Sequence, residues 1–187
     1  MGLLADVHAQ QAAKNQATDI APQETASAQE PTNSFSFVRY RVDYEVKADA
    51  TSVATSEYEI LIKTKAGVDN FSQVRLSYSE KMETLEVLAA YTLTPDGRRH
   101  DVPDDKIYTQ ESYSSAPAAM YADRKVKVIV FPNLSPGTHL VYRTRQAQNI
   151  PFFPGYCNLW ENLSPFTQYD DAKITLIAPK HLPMHVY

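Results

Sequence analysis

With 187 residues, the chain has room for one domain with a proper core and too little for two of ordinary size. A formal net charge of −4 and a pI near 5.7 offer no general attraction to nucleic acid or anionic lipid, which require clustered positive charge. No apolar run approaches the ~18 to 20 residues that span a bilayer, and a single cysteine excludes an internal disulfide framework.

The first residues, "MGLLADVHAQ", fit the clipped end of a secretory signal, with Val7 and Ala9 at the small-residue positions before a cut at Gln10. The apolar stretch is short and contains Asp6, so a plain disordered start fits equally well. From Gln10 to Ser34 there is no aromatic residue and one isolated isoleucine, Ile20. Such a segment cannot bury enough apolar surface to offset the entropy of ordering it. Residues 1–34 are therefore expected to form a flexible leader and residues 35–187 the folded domain.

At Phe35 the pattern changes to alternation. Val38, Tyr40, Val42, Tyr44 and Val46 fall on one face, and Arg39, Arg41, Asp43, Glu45 and Lys47 on the other, which predicts a half-buried strand. "SEYEILIK" repeats the pattern with Tyr58, Ile60 and Ile62, and "VRLSYS" with Val74, Leu76 and Tyr78. "TLEVLAAYTL" sets Leu85, Val87, Ala89, Tyr91 and Leu93 on one face and stops at the turn Pro95-Asp96-Gly97. "DKIYTQESYSSAPAAMYADR" predicts a short strand followed by a surface loop. Lys125–Pro132 and Thr138–Gln148 read as the two arms of a hairpin about Ser135-Pro136-Gly137, with Gly137 at positive φ. After a Pro-rich aromatic connection, "DAKITLIA" returns to strand character, and "MHVY" looks like the start of another strand. The chain is thus expected to be truncated at its C-terminus within a longer protein. Many short strands between turns, with no helical period over three turns, predict an all-β fold: an antiparallel sandwich or barrel.

The hairpin register would set Lys127 opposite Arg143 and Lys125 opposite Arg145. Like charges directly opposite are destabilising, so this face needs a carboxylate such as Glu57 or Glu59 from an adjacent strand, or an anionic partner. Internal neutralisation is the simpler expectation. In the aromatic connection, Phe152, Phe153, Tyr156, Trp160, Phe166 and Tyr169 are expected for the most part to seal one end of the core. A platform for sugar or peptide is the alternative. Lys125, Lys127, Arg143, Arg145, Phe152, Tyr156 and Trp160 form the candidate partner surface.

No catalytic, cofactor or metal residue stands out. Cys157 follows Gly155 as in some nucleophile loops, but a reactive thiolate needs a helix N-terminus or a histidine beside it. The proline flanks oppose a long helix, which leaves an ordinary loop or core cysteine. His181 and His185 have the i, i+4 spacing of a helical zinc pair, but Pro183 lies between them. His100 and His139 sit beside strand and turn signals. Asp96, Asp104, Asp105, Asp170 and Asp171 lie where turns need them, and nothing favours a glycosidase pair.

The order of these pieces is similar to a known family. Tyr40-x-Val42-x-Tyr44, then Tyr91 to Gly97 with "TPDG", then "YADRKVKVIVFPNLSPGTHLVYR", resembles the bacterial domain of unknown function that precedes transglutaminase-like domains. The likeness runs through Tyr121-x-Asp123, Phe131-Pro132, Pro136-Gly137 and Tyr142, and covers about Phe35 to Tyr187. It implies an immunoglobulin-like β-sandwich in an exported, periplasmic or envelope protein, with a papain-like Cys-His-Asp domain downstream as partner. It also favours a signal remnant at the N-terminus. It assigns no catalytic residue to this chain, because the family's nucleophile belongs to the downstream domain. The expected role is that of a non-enzymatic accessory domain. The alternative is an autonomous binding module for cell-wall glycan or peptide.

Overall fold

The computed structural model describes residues 33–112, 123–151, 153–180 and 182. Most of the expected leader, Tyr121, Phe152, His181, His185 and the terminal "MHVY" lie outside the described residues. In chain order the elements are β1 (Phe35–Val46), β2 (Ser52–Ile62), α1 (Lys65–Phe71), β3 (Gln73–Ser79), β4 (Glu83–Leu93) and β5 (Arg99–Asp101). A 3-10 turn (Asp104–Lys106) then leads to β6 (Ile107–Glu111), β7 (Arg124–Val130), β8 (His139–Gln148), β9 (Gln168–Tyr169) and β10 (Ala172–Ile177).

These strands form the expected β-sandwich. The larger sheet has the order β10-β1-β2-β8-β4-β5, with β9 also beside β1, and the smaller one is β3-β7-β6. Pairing is antiparallel except along the outer edge of β1, where β9 and β10 run parallel to it. The period-2 alternation of the sequence sets the faces. Tyr40, Tyr58 and Tyr142 share one row across β1, β2 and β8, with neighbouring ring centroids 4.9 Å apart in each pair. Ile60, Ile62, Ala90, Leu140 and Tyr142 of the larger sheet pack with Val74 and Ile129 of the smaller one, closed by Val102 and Phe131. Each fully buried aliphatic side chain here contributes about 1.5 to 3 kcal/mol.

Three features depart from the one-dimensional pattern. First, β7 and β8 are not a hairpin: β7 lies between β3 and β6, whereas β8 lies between β2 and β4 in the other layer. The turn itself forms, with Gly137 at φ 88° and the Thr138 N–H donating to the Ser135 carbonyl at 3.0 Å. It delivers the chain to β2, because the Gly137 N–H donates to the Ile62 carbonyl (2.7 Å) and the Ile62 N–H to the Thr138 carbonyl (2.9 Å). Alternation and turn chemistry are the same for a hairpin and for a crossing between layers, so the sequence does not separate them.

Second, the register of β4 against β8 shifts between Val87 and Ala89. The extra residue, Leu88, reverses the faces beyond it. Ala90 and Thr92, rather than Ala89 and Tyr91, therefore share the inner face with Leu85 and Val87. Third, α1 occupies what reads as a turn. Thr64 caps it, its hydroxyl accepting from the Gly67 N–H at 3.3 Å, and two turns of helix are too short to show a period.

Candidate functional site

The four basic residues lie in different layers. Lys125 on β7 pairs with Glu111, its cross-strand neighbour on β6, and lies 3.5 Å from Glu80. Lys127 crosses between the sheets, and its Nζ donates to the Leu85 carbonyl on β4 at 2.9 Å. Arg143 stands between Glu57 and Ala89 in the larger sheet, and Arg145 between Thr55 and Glu86. The like-charge juxtaposition therefore does not exist: Lys125 meets Glu111, Glu57 and Glu86 stand beside Arg143 and Arg145, and Lys127 meets a backbone carbonyl instead of a carboxylate.

The same alternation of sign covers the outer face of the larger sheet. Arg39 lies 2.8 Å from Glu57 and 3.5 Å from Glu59, Glu59 meets His139 Nδ1 at 2.9 Å, and Arg41 meets Asp171 at 2.6 Å. Arg99 stacks on Tyr91 with its guanidinium carbon 3.7 Å from the ring centroid. Each exposed pair contributes only about 0 to 1 kcal/mol.

The connection between β8 and β9 is the unusual region. It leaves β8 with the N–H groups of Asn149 and Ile150 donating to the Met82 carbonyl. It then reaches the inner side of β1, where Glu161 accepts hydrogen bonds from two tyrosine hydroxyls. Tyr44 donates to Glu161 Oε1 at 2.5 Å and Tyr40 donates to Oε2. Burial, and then the bond to Glu161, raises both phenol pKa values well above the ordinary one. Tyr58, in the same row as Tyr40, is raised chiefly by burial.

This strap turns Glu161 inward and four of its aromatic rings outward. Phe153, Tyr156, Trp160 and Phe166 are 71%, 75%, 81% and 87% exposed. Among the described rings of this segment only Tyr169 behaves as a core seal, stacking on Phe37 at 5.2 Å while its hydroxyl accepts from the Ser164 N–H at 3.2 Å. The expectation that most of these rings seal the core thus fails for four of them. Hydrophobicity alone does not reveal that Glu161 holds the segment and frees the rings. Glu161, Tyr40 and Tyr44 had no functional signal in the sequence beyond the alternation of β1.

Cys157 lies in the same strap. Burial raises its thiol pKa, and the Ser52 hydroxyl beside it opposes the shift only in part. The group is thus a neutral thiol near pH 7, the reverse of what a cysteine nucleophile requires. His139 is committed to Glu59. His100 borders a shallow hollow with Asp96, Arg98, Asn133 and Ser135. There Asp96 is lowered to about 2, first by the Thr94 hydroxyl and then by Arg98. Asp104 and Asp105 sit in the 3-10 turn, Asp171 meets Arg41, and Asp170 accepts from the Gln168 side-chain amide at 2.8 Å. Among the described residues, no group of three or more His, Cys, Asp or Glu side chains is gathered as metal ligands would be.

The hollow marks where two motifs meet: Pro95 of "TPDG" packs on Gly137 of "SPGT". A Cβ at Gly137 would lie 3.1 Å from Pro95 Cγ.

No curated protein matches the sequence. Among solved structures, a candidate protease of Parabacteroides distasonis ATCC 8503 superposes with a TM-score of 0.59 at 19% identity, over 65% of this chain and 24% of that one. This chain therefore corresponds to about a quarter of that protein's length, and the likeness is one of fold. Two structures of the family 3a carbohydrate-binding module from the Clostridium thermocellum scaffoldin CipA match more loosely. Their TM-scores are 0.38 and 0.35 at 15% and 16% identity, over 63% and 62% of this chain and 69% and 76% of theirs. Residues 48–187 match the family model described as a domain of unknown function with a solved structure, DUF3857, and the chain belongs to that family.

Proposed function

We propose that this chain is a non-catalytic accessory domain of an exported, transglutaminase-like protein of the bacterial envelope. Its role is to position a catalytic domain of the same polypeptide or to present protein substrate to it. The observation that carries this reading is the state of Cys157, the chain's one cysteine. Burial holds it protonated beside Ser52, while the neighbouring carboxylate, Glu161, is occupied by Tyr40 and Tyr44. The strap thus supplies a shaped surface and no activated nucleophile. The fold match to a quarter of a longer candidate protease agrees with a supporting module inside a hydrolase. The test is to assay the isolated chain for amide hydrolysis and for amine transfer onto glutamine. Activity abolished by a single substitution within 35–187 overturns the reading.

The exposed rings of Phe153, Tyr156, Trp160 and Phe166 favour a second reading, an autonomous module for cell-wall glycan or peptide. Pull-down on peptidoglycan and a panel of polysaccharides separates the two. Retention lost in Trp160→Ala supports the binding module, and no retention supports the accessory domain. Among the described residues no helix is long and apolar enough to cross a membrane.

A further inference from the structure

The hollow beside Pro95 is walled by two connections in the interior of the chain, from β4 to β5 and from β7 to β8. The walls are fastened to each other. The fully buried Thr92 hydroxyl donates to the Pro132 carbonyl at 3.1 Å, and Pro95 lies on Gly137. Each wall is also closed on itself. The Gly97 N–H donates to the Thr94 carbonyl at 2.8 Å and the Thr94 N–H to the Arg98 carbonyl at 2.9 Å, while the Ser135 N–H donates to the fully buried Thr138 hydroxyl at 3.2 Å. The polar groups around the hollow are thus carried on a fixed frame.

Those groups divide into a committed pair and an uncommitted set. Asp96 Oδ1 accepts from the Thr94 hydroxyl at 2.5 Å, and Oδ2 takes Arg98 Nε at 2.6 Å and Nη2 at 2.5 Å. The carboxylate cancels the guanidinium charge and fixes its plane, which leaves Arg98 Nη1 as a donor. Among the described residues the side chains of His100 and Asn133 have no hydrogen-bond partner, and each carries both a donor and an acceptor. Asn133 is held at φ 54°, a left-handed conformation that asparagine tolerates and most residues avoid. The Ser135 hydroxyl, 3.1 Å from that of Thr138, keeps capacity for one more bond.

We propose that this hollow binds one uncharged, hydroxyl-rich ring of a saccharide, held by Asn133, His100 and Arg98 against the apolar face of Pro95. A sugar hydroxyl donates and accepts at once, which matches the paired donor and acceptor of an amide and of an imidazole. An anion would meet Asp96, and a cation would meet Arg98, so the internal ion pair disfavours charged ligands of either sign. The hollow measures about 480 Å³, within the range of small-molecule sites. An extended peptide would need partners along a line at strand spacing, and the two turns offer none. The site lies on the β4 side of the larger sheet, separated by β8 and β2 from the β1 strand that carries the strap, and it does not rest on the exposed rings.

Amide NMR of the 187-residue chain, titrated with glucose, galactose, mannose or N-acetylglucosamine to about 50 mM, reads the site directly. At least one sugar is expected to move the amides of residues 94–100 and 133–135 together and to saturate with a Kd of about 1 to 10 mM, as a few hydrogen bonds on a shallow surface allow. Asn133→Gly, which keeps the positive φ without strain and removes the side-chain amide, raises that Kd about fivefold or more, and His100→Ala does the same. Trp160→Ala leaves it unchanged. Circular dichroism confirms the folding of each variant, and if one of the two hollow variants fails to fold, the other decides. The absence of saturable shifts in the hollow with all four sugars overturns the proposal. So does a Kd that ignores both hollow variants, a response that Trp160→Ala abolishes, or inorganic phosphate moving the same amides more tightly than every sugar. A millimolar contact gives no retention in a pull-down, and the accessory reading is scored by activity, so the outcomes are separate.

Discussion

Tyr44 donates its hydroxyl proton to Glu161 at 2.5 Å, joining two residues 117 positions apart in the chain. With Tyr40 on the other carboxylate oxygen, Glu161 fastens an otherwise outward-facing strap to the larger sheet. Hydrogen bonds to a charged acceptor are the stronger kind, and among the described residues no bond between backbone groups ties positions 151–167 to either sheet, although the Ser164 N–H reaches the Tyr169 hydroxyl.

The clamp is therefore expected to control the strap more than the fold. Glu161→Ala should cost about 1 to 3 kcal/mol and should accelerate limited proteolysis between residues 150 and 168, with cleavage elsewhere little changed. Uniform proteolysis across the chain would show that the strap is not separately held.

The same clamp sets an alkaline limit. Tyr40 and Tyr44 have folded pKa values above the ordinary tyrosine value, through burial and then Glu161, and Tyr58 is raised by burial. A raised folded pKa favours the protonated, folded form. That contribution is fully present below the unfolded value of about 10 and is lost as pH rises through the folded values. Absorbance at 295 nm should show these phenols ionising only with unfolding, and the urea midpoint should fall above pH 10, less steeply in Tyr40→Phe. Native titration of every tyrosine near 10 would contradict this.

Gly67 sits in α1, where helix propensity alone predicts that alanine would stabilise by about 1 kcal/mol. Packing predicts the opposite sign, because a Cβ there would lie 2.3 Å from the Ser34 carbonyl oxygen and 3.2 Å from Ile62 Cγ2. Gly67→Ala should destabilise by about 1 to 3 kcal/mol in urea denaturation. A gain in stability would mean that the β1 entrance shifts freely.

Cys157 should react with a thiol reagent more slowly in the native chain than in urea at pH 7, because burial raises its pKa. The native rate should still be rising above pH 9. Cys157→Ser should leave folding intact, and a native rate exceeding the unfolded one would reveal an activating group.

How much was legible in the sequence differs between strands and strap. Val42, Ile60, Val74 and Leu140 were readable as core because alternation reports which face of a strand is buried. Thr94-Pro95-Asp96-Gly97 and Ser135-Pro136-Gly137 were readable as turns, and their glycines have φ of 80° and 88°. The bulge at Leu88 was not, since one inserted residue leaves the composition of β4 unchanged while reversing its faces. Nor was the exposure of Trp160, which follows from a carboxylate one residue later finding two hydroxyls on a distant strand.

The sequence by itself determined that the chain is built of strands, which side chains they bury wherever no bulge intervenes, and where two of the turns fall, because these follow from short-range periodicity and backbone preference. Only the tertiary structure decided which strands pair. It sent β7 and β8 to opposite layers, gave Lys125 and Lys127 different partners from Arg143 and Arg145, and set β10 parallel to β1. Those outcomes depend on contacts between residues far apart in the chain, and a local pattern is the same whichever distant partner the strand finds.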